Sequence, residues 1–323
     1  MKMVVLDGYT LNPGDNPWGP IEAFGELTVH DRTDPSLVAE TASDAEILMT
    51  NKAPITTETL NALKSLKFIS VLATGYNIVD IEAAGKKGIP VSNIPEYGTD
   101  SVAQFTMALI LELCHNIGEH NRSVHNGDWS SCPDWCYWRT PQVLLSRKTI
   151  GIIGFGRIGR RLGELAHAFG MKVLAFDPAA SDDPGYRPFE WAEIDKIFSD
   201  SDIVSLHCPQ TQENTGFVRE SLLKKMKRSA FLINASRGGL VNEKDLAEAL
   251  NAGILAGAAL DVVSVEPIKQ ENPLLSAQNC LLTPHMAWST LGARRRLMEG
   301  TVENIRAFLA GNPINVVNRD FLV

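Results

Sequence analysis

Polar side chains follow several predicted strands in the second half of this sequence, where they could take part in a reaction. They are His207, the run Asn234 to Arg237, Asp261, Glu266 and His285. In open α/β sheets, ligands bind outside the carboxyl ends of the parallel strands. Because strand ends meet at one edge of such a sheet, these residues are the candidates for a reaction site.

Three of these residues have the chemistry to act on the carbonyl of a small acid. A carbonyl that accepts a hydride needs a proton, and His285 in LLTPHMAW can supply one near neutral pH. Glu266 in DVVSVEP would orient the histidine ring and favour its protonated form. Arg237 in LINASRGG offers a planar fork of donors that binds a carboxylate through two hydrogen bonds. The set predicts hydride transfer to or from a small carboxylic acid.

The stretch from Thr149 to Pro178 predicts the hydride carrier. It reads as a strand, a glycine turn with the pattern GFGRIG, a helix and a second strand. Gly154 permits the tight turn, Gly156 lets a pyrophosphate approach the backbone, and Gly159 lets the helix pack closely on the strand. The helix N-terminus then favours the anionic pyrophosphate. This combination predicts a dinucleotide site.

Asp177 indicates which dinucleotide is bound. It follows the second strand, eighteen positions after Gly159. Its carboxylate would accept hydrogen bonds from the adenosine ribose hydroxyls and repel a 2′-phosphate. NAD is therefore favoured over NADP as the cofactor.

His207 in SLHCPQT is an alternative proton donor. Its position opens toward the adenosine half of the cofactor, so we predict that it forms a wall of the cofactor site. The run Arg294-Arg295-Arg296 is interpreted as a solvated helix face. The histidines on predicted helices are interpreted as surface or packing residues: His115, His120, His125 and His167.

Strands and helices alternate along most of the chain, which predicts doubly wound parallel-sheet α/β domains. The first region has candidate strands at Met3–Leu6, Leu27–His30, Glu46–Met49, Phe68–Leu72 and Pro90–Val91, and candidate helices at Ser36–Glu40, Thr57–Leu63 and Ile81–Lys86. The second region adds, after Asp177, candidate helices at Trp191–Ser199, Ser221–Lys227 and Glu243–Ala252, and candidate strands at Ile203–Leu206, Phe231–Asn234, Ala258–Val262 and Cys280–Leu282. The segment Tyr9–Pro20, rich in Pro, Gly and Asn, is predicted to be a loop.

The last predicted helix, Leu291–Leu309, follows the completed second sheet, so we expect it to pack back on the first region. The predicted substrate-binding domain is then discontinuous and flavodoxin-like, comprising residues 1–98 and 289–323. A Rossmann dinucleotide-binding domain, residues 99–288, is inserted in it. The cofactor cleft is expected between the two domains, a common location for a ligand site.

A long apolar helix is predicted from Ser101 toward Gly127, capped by Thr99 or Asp100. Its apolar residues surround nearly the whole circumference, which is typical of a buried helix. The following segment, Asp128–Ser146, is predicted to be a loop with three tryptophans, and such aromatic area usually packs on another surface. We interpret residues 101–146 as the hinge region and the contact of a homodimer.

The composition is that of a globular protein, with 44% hydrophobic and 21% charged residues. The net charge of -8 argues against a nucleic-acid or anionic-membrane partner. The N-terminus lacks a signal-peptide pattern, and no apolar stretch approaches the ~20 residues that span a bilayer. Five scattered cysteines indicate reduced thiols in the cytoplasm. Cys132 and Cys136 lack the spacing of a zinc site, so no metal is expected.

The whole chain resembles the D-isomer-specific 2-hydroxyacid dehydrogenases, and within them the bacterial glycerate dehydrogenases, also called hydroxypyruvate reductases. The matching motifs occur in the order of the family: VLATGYNIVD, NIPEYGTDSVAQF, GIIGFGRIGR, HCPQTQENTG, NASRGG, DVVSVEP and TPHMAW. The resemblance implies that Arg237 binds the substrate carboxylate and carbonyl, that His285 is the acid/base, and that Glu266 is its partner. It also implies that the backbone at Ala73, Thr74 and Gly75 contacts the substrate carboxylate.

The resemblance further implies NAD as the cofactor and a set of contacts to it. These are Thr106, Gly154, Gly156, Arg157, Ile158, Gly159, Asp177, His207, Cys208, Pro209, Thr215, Ala235, Ser236, Arg237, Asp261 and His285. Gln104 departs from the family, where many relatives carry an acid after Val-Ala. That departure puts only the local hydrogen bonding of the helix in doubt.

Alternatives within and beside the family stay open. Formate dehydrogenases have glutamine at the position of Glu266, which disfavours that activity. Phosphoglycerate dehydrogenases often carry an added regulatory domain, for which 323 residues leave no room, although short versions exist. The C-terminal binding protein corepressors use the same fold as an NAD-sensing partner-binding module and retain the catalytic residues. The three candidate side chains therefore do not separate that class from an enzyme that reduces hydroxypyruvate or glyoxylate.

Overall fold

The structure is a computed structural model that describes residues 1–179 and 182–323. Its contacts divide the chain into two compact units, Met1–Gly98 with Trp288–Val323, and Thr99–Ala287. The boundary at the end of the second unit falls one residue before the one expected from the sequence. Trp288 therefore belongs to the first unit, where its ring packs edge-to-face against Tyr97 at a centroid distance of 6.2 Å.

The first unit contains a five-stranded parallel sheet with the order β2-β1-β3-β4-β5. Its strands are β1 (Lys2–Val5), β2 (Glu26–Val29), β3 (Ile47–Thr50), β4 (Phe68–Val71) and β5 (Val91–Ser92). Four short helices connect them: α1 (Gly19–Glu22), α2 (Val38–Thr41), α3 (Thr57–Ala62) and α4 (Ile81–Lys86). This is the strand order of flavodoxin-like domains, in agreement with the predicted fold class.

The second unit contains a seven-stranded parallel sheet. Its strands are β6 (Thr149–Ile153), β7 (Lys172–Phe176), β8 (Phe189–Trp191), β9 (Ile203–Leu206), β10 (Phe231–Asn234), β11 (Gly257–Leu260) and β12 (Cys280–Leu282). They follow the order β12-β11-β10-β9-β6-β7-β8. The first six strands in chain order have the 3-2-1-4-5-6 arrangement of the Rossmann fold, which confirms the prediction.

Helices cover both sheets, as their parallel strands require. Those of the second unit are α5 (Thr99–His115), α6 (Ile117–His125), α7 (Arg157–Ala168), α8 (Ile194–Asp200), α9 (Glu220–Leu223) and α10 (Glu243–Asn251). The C-terminal helix α11 (Leu291–Leu309) belongs to the first unit, and Thr290 caps it by accepting from Ala293. The ring of Phe308 stacks on Phe68 of β4 at a centroid distance of 4.5 Å. Burial of this apolar helix face against the sheet stabilises the first unit.

Several sequence predictions are corrected by the structure. Thr99 and Asp100, predicted to cap the long helix, lie within it, because α5 begins at Thr99. The predicted loop Tyr9–Pro20 overlaps a 3-10 turn at Gly8–Thr10 and the start of α1 at Gly19. The long helix ends at His115 because Asn116 adopts a left-handed backbone with φ of 47°, and α6 begins after it. The helix predicted at Trp191 begins only at Ile194, since residues 189–191 form the edge strand β8. The arginine run is not a solvated face throughout, because Arg294 is only 7% exposed. Its guanidinium binds both carboxylate oxygens of Asp15, at 2.5 and 2.8 Å.

Candidate active site

The topology brings the candidate residues to the carboxyl edge of the second sheet. Arg237 lies three residues beyond β10, Glu266 follows β11, and His285 lies three residues beyond β12. These three strands are neighbours, paired at Asn234 with Leu260 and at Leu260 with Leu282. With strands about 4.8 Å apart, the segments that carry the three side chains leave the sheet within about 10 Å of one another.

The glycine turn follows β6, on the other side of β9 in the same sheet. Gly154 has a φ of +92°, and a Cβ there would collide with the backbone of His207 and Cys208. A Cβ on Gly159 would collide with the carbonyl oxygen of Gly154, which shows how closely α7 packs on the turn. A Cβ on Gly156 would instead enter open space. The turn is therefore closed by protein around Gly154 and Gly159, and accessible to a ligand at Gly156.

The residues present fit a bound dinucleotide. Gly156 is the N-cap of α7 and brings no side chain of its own to the helix terminus, where N–H groups and the helix dipole favour a pyrophosphate. Asp177 lies beside this turn, because its carboxylate accepts hydrogen bonds from the N–H groups of Phe155 at 2.8 Å and Ala179 at 3.0 Å. Each carboxylate oxygen has a second acceptor site for a ribose hydroxyl. The chemistry of this edge thus matches NAD.

Asp177 and Arg237 mark the two ends of this edge. The strands that precede them, β7 and β10, are three strand spacings apart, or about 14 Å. The chain reverses its winding direction between β6 and β9, the switch point at which doubly wound sheets bind ligands. A dinucleotide bound at this point would lie along the strand edge that carries both Asp177 and the predicted reaction site.

Arg237 lies on a turn that is packed against the segment of Glu266. The neighbouring Gly238 begins a short 3-10 helix, and a Cβ on it would collide with the backbone carbonyl of Val263. The Asn234 side chain further fixes the turn, since it donates to the carbonyl of Arg237 at 2.9 Å and accepts from Ser236. Sequence reasoning did not identify Gly238. Its signal was the first glycine of the RGG motif.

The side chains of His285 and Glu266 are directly bonded. The ring Nδ1 lies 2.6 Å from Oε2 of Glu266, and the two side chains are 26% and 34% exposed. The other carboxylate oxygen, Oε1, accepts from the Val263 N–H at 3.2 Å. Because Nδ1 is held by the carboxylate, the proton that the ring can exchange with a ligand is carried by Nε2.

Asp261 fixes the backbone on which His285 is carried. Its buried carboxylate accepts from the hydroxyl of Thr283 at 2.6 Å and from the N–H groups of Met286 and Ala287 at 2.9 and 2.8 Å. The N–H of His285 donates to the carbonyl of Asp261 at 2.7 Å. These bonds hold His285 at a φ of 51°, a left-handed conformation that a histidine rarely adopts without such support.

His207 differs from His285 in protonation chemistry. Its ring Nδ1 is buried, its Nε2 lies 2.8 Å from the Ser205 hydroxyl, and burial lowers the pKa of the ring to about 4. The ring is therefore neutral at physiological pH and lacks the second proton of an imidazolium, which a general acid would give. This favours the interpretation of His207 as a wall residue over its alternative as the acid.

The other residues predicted to contact the cofactor lie in several segments of the second unit, and some of them are buried. Arg157 and Ile158 open α7, and Cys208, Pro209 and Thr215 lie in the loop after β9. Ala235 and Ser236 follow β10 in the half-buried turn that leads to Arg237. Thr106 lies within α5, fully buried, with its hydroxyl donating to the carbonyl of Val102 at 2.8 Å. Thr106 and the carboxylate of Asp261 therefore face protein rather than an open surface.

The segment predicted to contact the substrate carboxylate belongs to the first unit. Ala73 and Thr74 follow β4, and the Thr74 hydroxyl donates to the carbonyl of Ile94 at 2.8 Å. The side chain of Asn93 donates in turn to the carbonyl of Thr74 at 2.7 Å. Asn51, at the end of β3, donates to the carbonyl of Leu72 at 3.0 Å. Side-chain bonds from two neighbouring strand ends thus fix the backbone that leads to Gly75.

Among the residues that the structure describes, no group of histidine, cysteine and acidic side chains is arranged to hold a metal ion. All five cysteines are free thiols, and burial raises the pKa of Cys114, Cys208 and Cys280 to about 11 or 12. None of the helices in the described ranges combines the length and apolar character needed to cross a membrane.

The sequence matches the family model for the D-isomer specific 2-hydroxyacid dehydrogenase NAD binding domain over residues 107–287. A hydroxypyruvate reductase of Blautia hydrogenotrophica is 50% identical over 322 residues, covering 99% of this chain and 100% of the relative. A glycerate dehydrogenase of Methylorubrum extorquens is 41% identical over 285 residues, covering 88% of each chain.

The fold is also similar to that of solved dehydrogenase structures. A D-lactate dehydrogenase from Aquifex aeolicus, solved in complex with NAD and lactic acid, superposes with a TM-score of 0.82 at 27% identity. The superposition covers 98% of this chain and 99% of that one. With the predicted motifs in place on this fold, the chain belongs to the D-isomer-specific 2-hydroxyacid dehydrogenases, the NAD-dependent oxidoreductases that interconvert 2-keto acids and D-2-hydroxy acids.

Proposed function

We propose that this enzyme reduces hydroxypyruvate or glyoxylate, to D-glycerate or glycolate, with Arg237, Glu266 and His285 at the reacting centre. The observation that carries the proposal is the bonded pair of His285 and Glu266 at the strand edge that also presents Arg237. The names of the relatives, hydroxypyruvate reductase and glycerate dehydrogenase, support a substrate of three carbons or fewer.

The proposed reaction divides the work between His285, Glu266 and Arg237. When bound, NADH would supply the hydride for the carbonyl carbon. His285, protonated on both ring nitrogens, gives the Nε2 proton to the carbonyl oxygen as negative charge develops there. Glu266 stabilises the imidazolium through its 2.6 Å bond to Nδ1 and holds the ring in one orientation. In the direction of oxidation, the neutral ring removes the hydroxyl proton.

Arg237 is proposed to bind the substrate carboxylate and polarise its carbonyl. One guanidinium nitrogen, Nη1, donates to the carbonyl of Ser236 at 2.7 Å, which fixes that side of the guanidinium on its own turn. Charge-assisted bonds of this kind contribute ~1.5–3 kcal/mol each, enough to orient a small acid with little apolar surface. The backbone at Ala73, Thr74 and Gly75 is proposed to supply further donors to the same carboxylate. The first unit would then be the substrate-binding domain and the second the cofactor domain.

The cofactor contacts proposed from the resemblance follow the strand edge. The pyrophosphate would be bound at Gly156, Arg157 and Ile158, and the adenosine ribose at Asp177. The walls would come from segment 207–209, from Thr215 and from segment 235–237. For Thr106 and Asp261 a direct contact remains a prediction, since their side chains are buried.

A homodimer through residues 101–146 is proposed as the assembly. The support is exposed apolar surface along this region, where Trp135, Trp138 and Leu144 are 86%, 68% and 74% exposed. Tryptophan is enriched in the cores of protein interfaces. Sedimentation velocity tests the proposal: Trp138→Glu should shift a dimer toward monomer, and a native chain that sediments as a monomer at micromolar concentration excludes it.

A cytoplasmic location is proposed on the five free thiols, which an oxidising compartment would tend to pair. Fractionation of cells that express the chain, with thiol trapping before lysis, tests this location.

The substrate is tested by NADH oxidation over a panel of hydroxypyruvate, glyoxylate, pyruvate, 3-phosphohydroxypyruvate and longer 2-keto acids. We expect the highest kcat/KM on one of the first two acids. Preference for the phosphorylated acid would favour a phosphoglycerate-type dehydrogenase instead. Low turnover on every acid, together with NAD-dependent peptide binding, would favour a corepressor-like binding module.

Arg237→Lys tests the proposed role of Arg237, because lysine keeps the positive charge but lacks the planar fork of donors. It should lower kcat/KM about 10–100-fold.

A further inference from the structure

The loop that carries Glu266 lies outside the helices and strands of the second unit. Residues 261–272 form neither helix nor strand, and residues 264–271 are exposed. The bond from Val263 N–H to Glu266 Oε1, at 3.2 Å, is local to the loop. The orientation of the His285 ring depends on this loop, because Glu266 Oε2 is bonded to its Nδ1. An attachment to a rigid element is therefore needed to fix the pair.

Glu243 provides that attachment. Its Oε1 accepts from the N–H of Ser264 at 2.6 Å, and its Oε2 accepts from the Ser264 hydroxyl at 2.8 Å. The same Oε2 accepts from the Asn272 side chain at 2.9 Å. Ser264 lies two residues before Glu266, and Asn272 closes the far end of the loop. One carboxylate thus joins both ends of the segment that carries Glu266.

Glu243 is itself fixed in place. It is the first residue of α10, whose Leu246 and Leu250 are buried in the core of the second unit. The helix is capped by Asn242, whose side chain accepts from the Asp245 N–H at 3.2 Å. An acidic residue in a first turn often serves only the helix dipole. Here the cap is provided by Asn242, while three bonds of Glu243 go to the loop.

We propose that Glu243 is a positioning residue that holds the Glu266 loop and thereby the His285 ring in the orientation for proton transfer. The inference rests on the proposed roles of Glu266 and His285. Glu243 touches neither residue in the contacts above, so it acts through Ser264 and the loop backbone. A carboxylate suits the position because it only accepts, and all three partners are donors.

Glu243→Gln is the variant that tests this role, since it keeps the shape and replaces one acceptor oxygen by a donor. Glu248→Gln is the matched control on the same helix. The side chain of Glu248 is 68% exposed, and its carboxylate forms a long ion pair with Lys244, at 3.9 Å. We expect Glu243→Gln to lower kcat for the keto acid about tenfold while KM and the Kd for NADH change by less than about twofold. The control should leave all three constants unchanged.

A double-mutant cycle separates positioning from a general structural role. On a Glu266→Gln background, Glu243→Gln should add less than about a twofold further loss if it acts only through Glu266. A tenfold loss that persists on that background would overturn the proposal.

An NMR measurement tests the same inference without turnover. The imidazole nitrogen resonances of His285, assigned by their absence in His285→Gln, should move in Glu243→Gln and stay in place in Glu248→Gln. Unchanged resonances overturn the positioning role. If the native chain turns over none of the acids, the proposed function fails, yet the resonances still decide the role of Glu243. Ser264→Ala removes only the bond from the Ser264 hydroxyl to Glu243 and should move the same resonances less. It replaces Glu243→Gln in this test if that variant does not fold.

Discussion

The ring of His285 donates from Nδ1 to Oε2 of Glu266 across 2.6 Å, although the two residues are nineteen positions apart in the chain. Two neighbouring strands, β11 and β12, bring the pair together at the edge of one sheet. Asp261 fixes the backbone that carries His285, and the Glu266 carboxylate fixes the orientation of its ring. Position and orientation are thus set by different residues, which makes their contributions separable by mutation.

Replacement of His285 by alanine should lower turnover about 10²–10⁴-fold, the usual contribution of a positioned acid–base group. The Kd for NADH, measured by fluorescence titration, should change little, because the glycine turn lies on a different part of the edge. If turnover survives the change, another group is the acid.

The pH dependence gives a second measurement on the same residue. Reduction consumes a proton and needs the protonated ring, whereas oxidation needs the neutral ring. The pH optimum for reduction should therefore lie below that for oxidation. Two profiles with the same optimum would contradict His285 as the proton carrier.

Asp177→Asn should weaken the preference for NADH over NADPH. The amide keeps the size of the side chain but loses the charge that repels a 2′-phosphate and accepts from the ribose. The ratio of kcat/KM for the two cofactors should fall about 10–100-fold, as expected for a lost charge-assisted bond. Since Asp177 also accepts from the Phe155 N–H, kcat/KM for NADH itself should fall too. An unchanged ratio would show that another residue sets the preference.

Local patterns predicted most of the strands and the three chemical side chains. Apolar runs that end in polar residues are visible along the chain, so Arg237, Glu266 and His285 could be assigned to strand ends. The sequence pattern did not predict the break at Asn116, because the pattern continues past it. Only the left-handed backbone of Asn116 ends the helix. The three-residue strand β8 is too short to show an alternating pattern.

Residues whose role depends on distant partners could not be predicted. Arg294 looked solvated beside two other arginines, but its carboxylate partner Asp15 lies near the other end of the chain. Glu243 has the position of an ordinary helix-start acid, and its bonds to Ser264 appear only when the fold places α10 beside the loop after β11. Long-range pairing of this kind leaves no signal in local sequence.

Asn93→Ala should raise the KM for the keto acid severalfold. Its side chain holds the carbonyl of Thr74, in the segment proposed to bind the substrate carboxylate, so its loss frees that backbone. Loss of this hydrogen bond should also lower the free energy of unfolding by about 0.5–1.5 kcal/mol.

Asn318→Ala is the control for this change. Asn318 is equally buried in the first unit, but its bonds go to Val91, Ile81 and Ile89, away from the Thr74 segment. It should lower the midpoint of thermal unfolding and leave KM unchanged. An equal rise in KM for both variants would mean that general destabilisation, rather than the loop, is responsible.

His207 should make the unfolding of the cofactor-free chain sensitive to mild acid. Burial lowers the pKa of its ring to about 4 in the folded chain, whereas an unfolded histidine titrates at about 6.5. Above pH 6.5 both states are neutral and the residue has no effect. As the pH falls from 6.5 toward 4, the unfolded chain takes up a proton that the folded chain does not, so stability is lost. Between pH 7 and pH 5 the loss from this residue should be about 2 kcal/mol.

Urea unfolding of the native chain, His207→Gln and His125→Gln at pH 7 and pH 5 measures this loss. His207→Gln should lose less stability than the native chain over that interval, because glutamine does not titrate and can keep a bond to the Ser205 hydroxyl. His125→Gln, at the exposed end of α6, should retain the native difference between the two pH values. If all three proteins lose stability equally, the buried ring of His207 does not resist protonation, and its exclusion as the acid would have to be reconsidered.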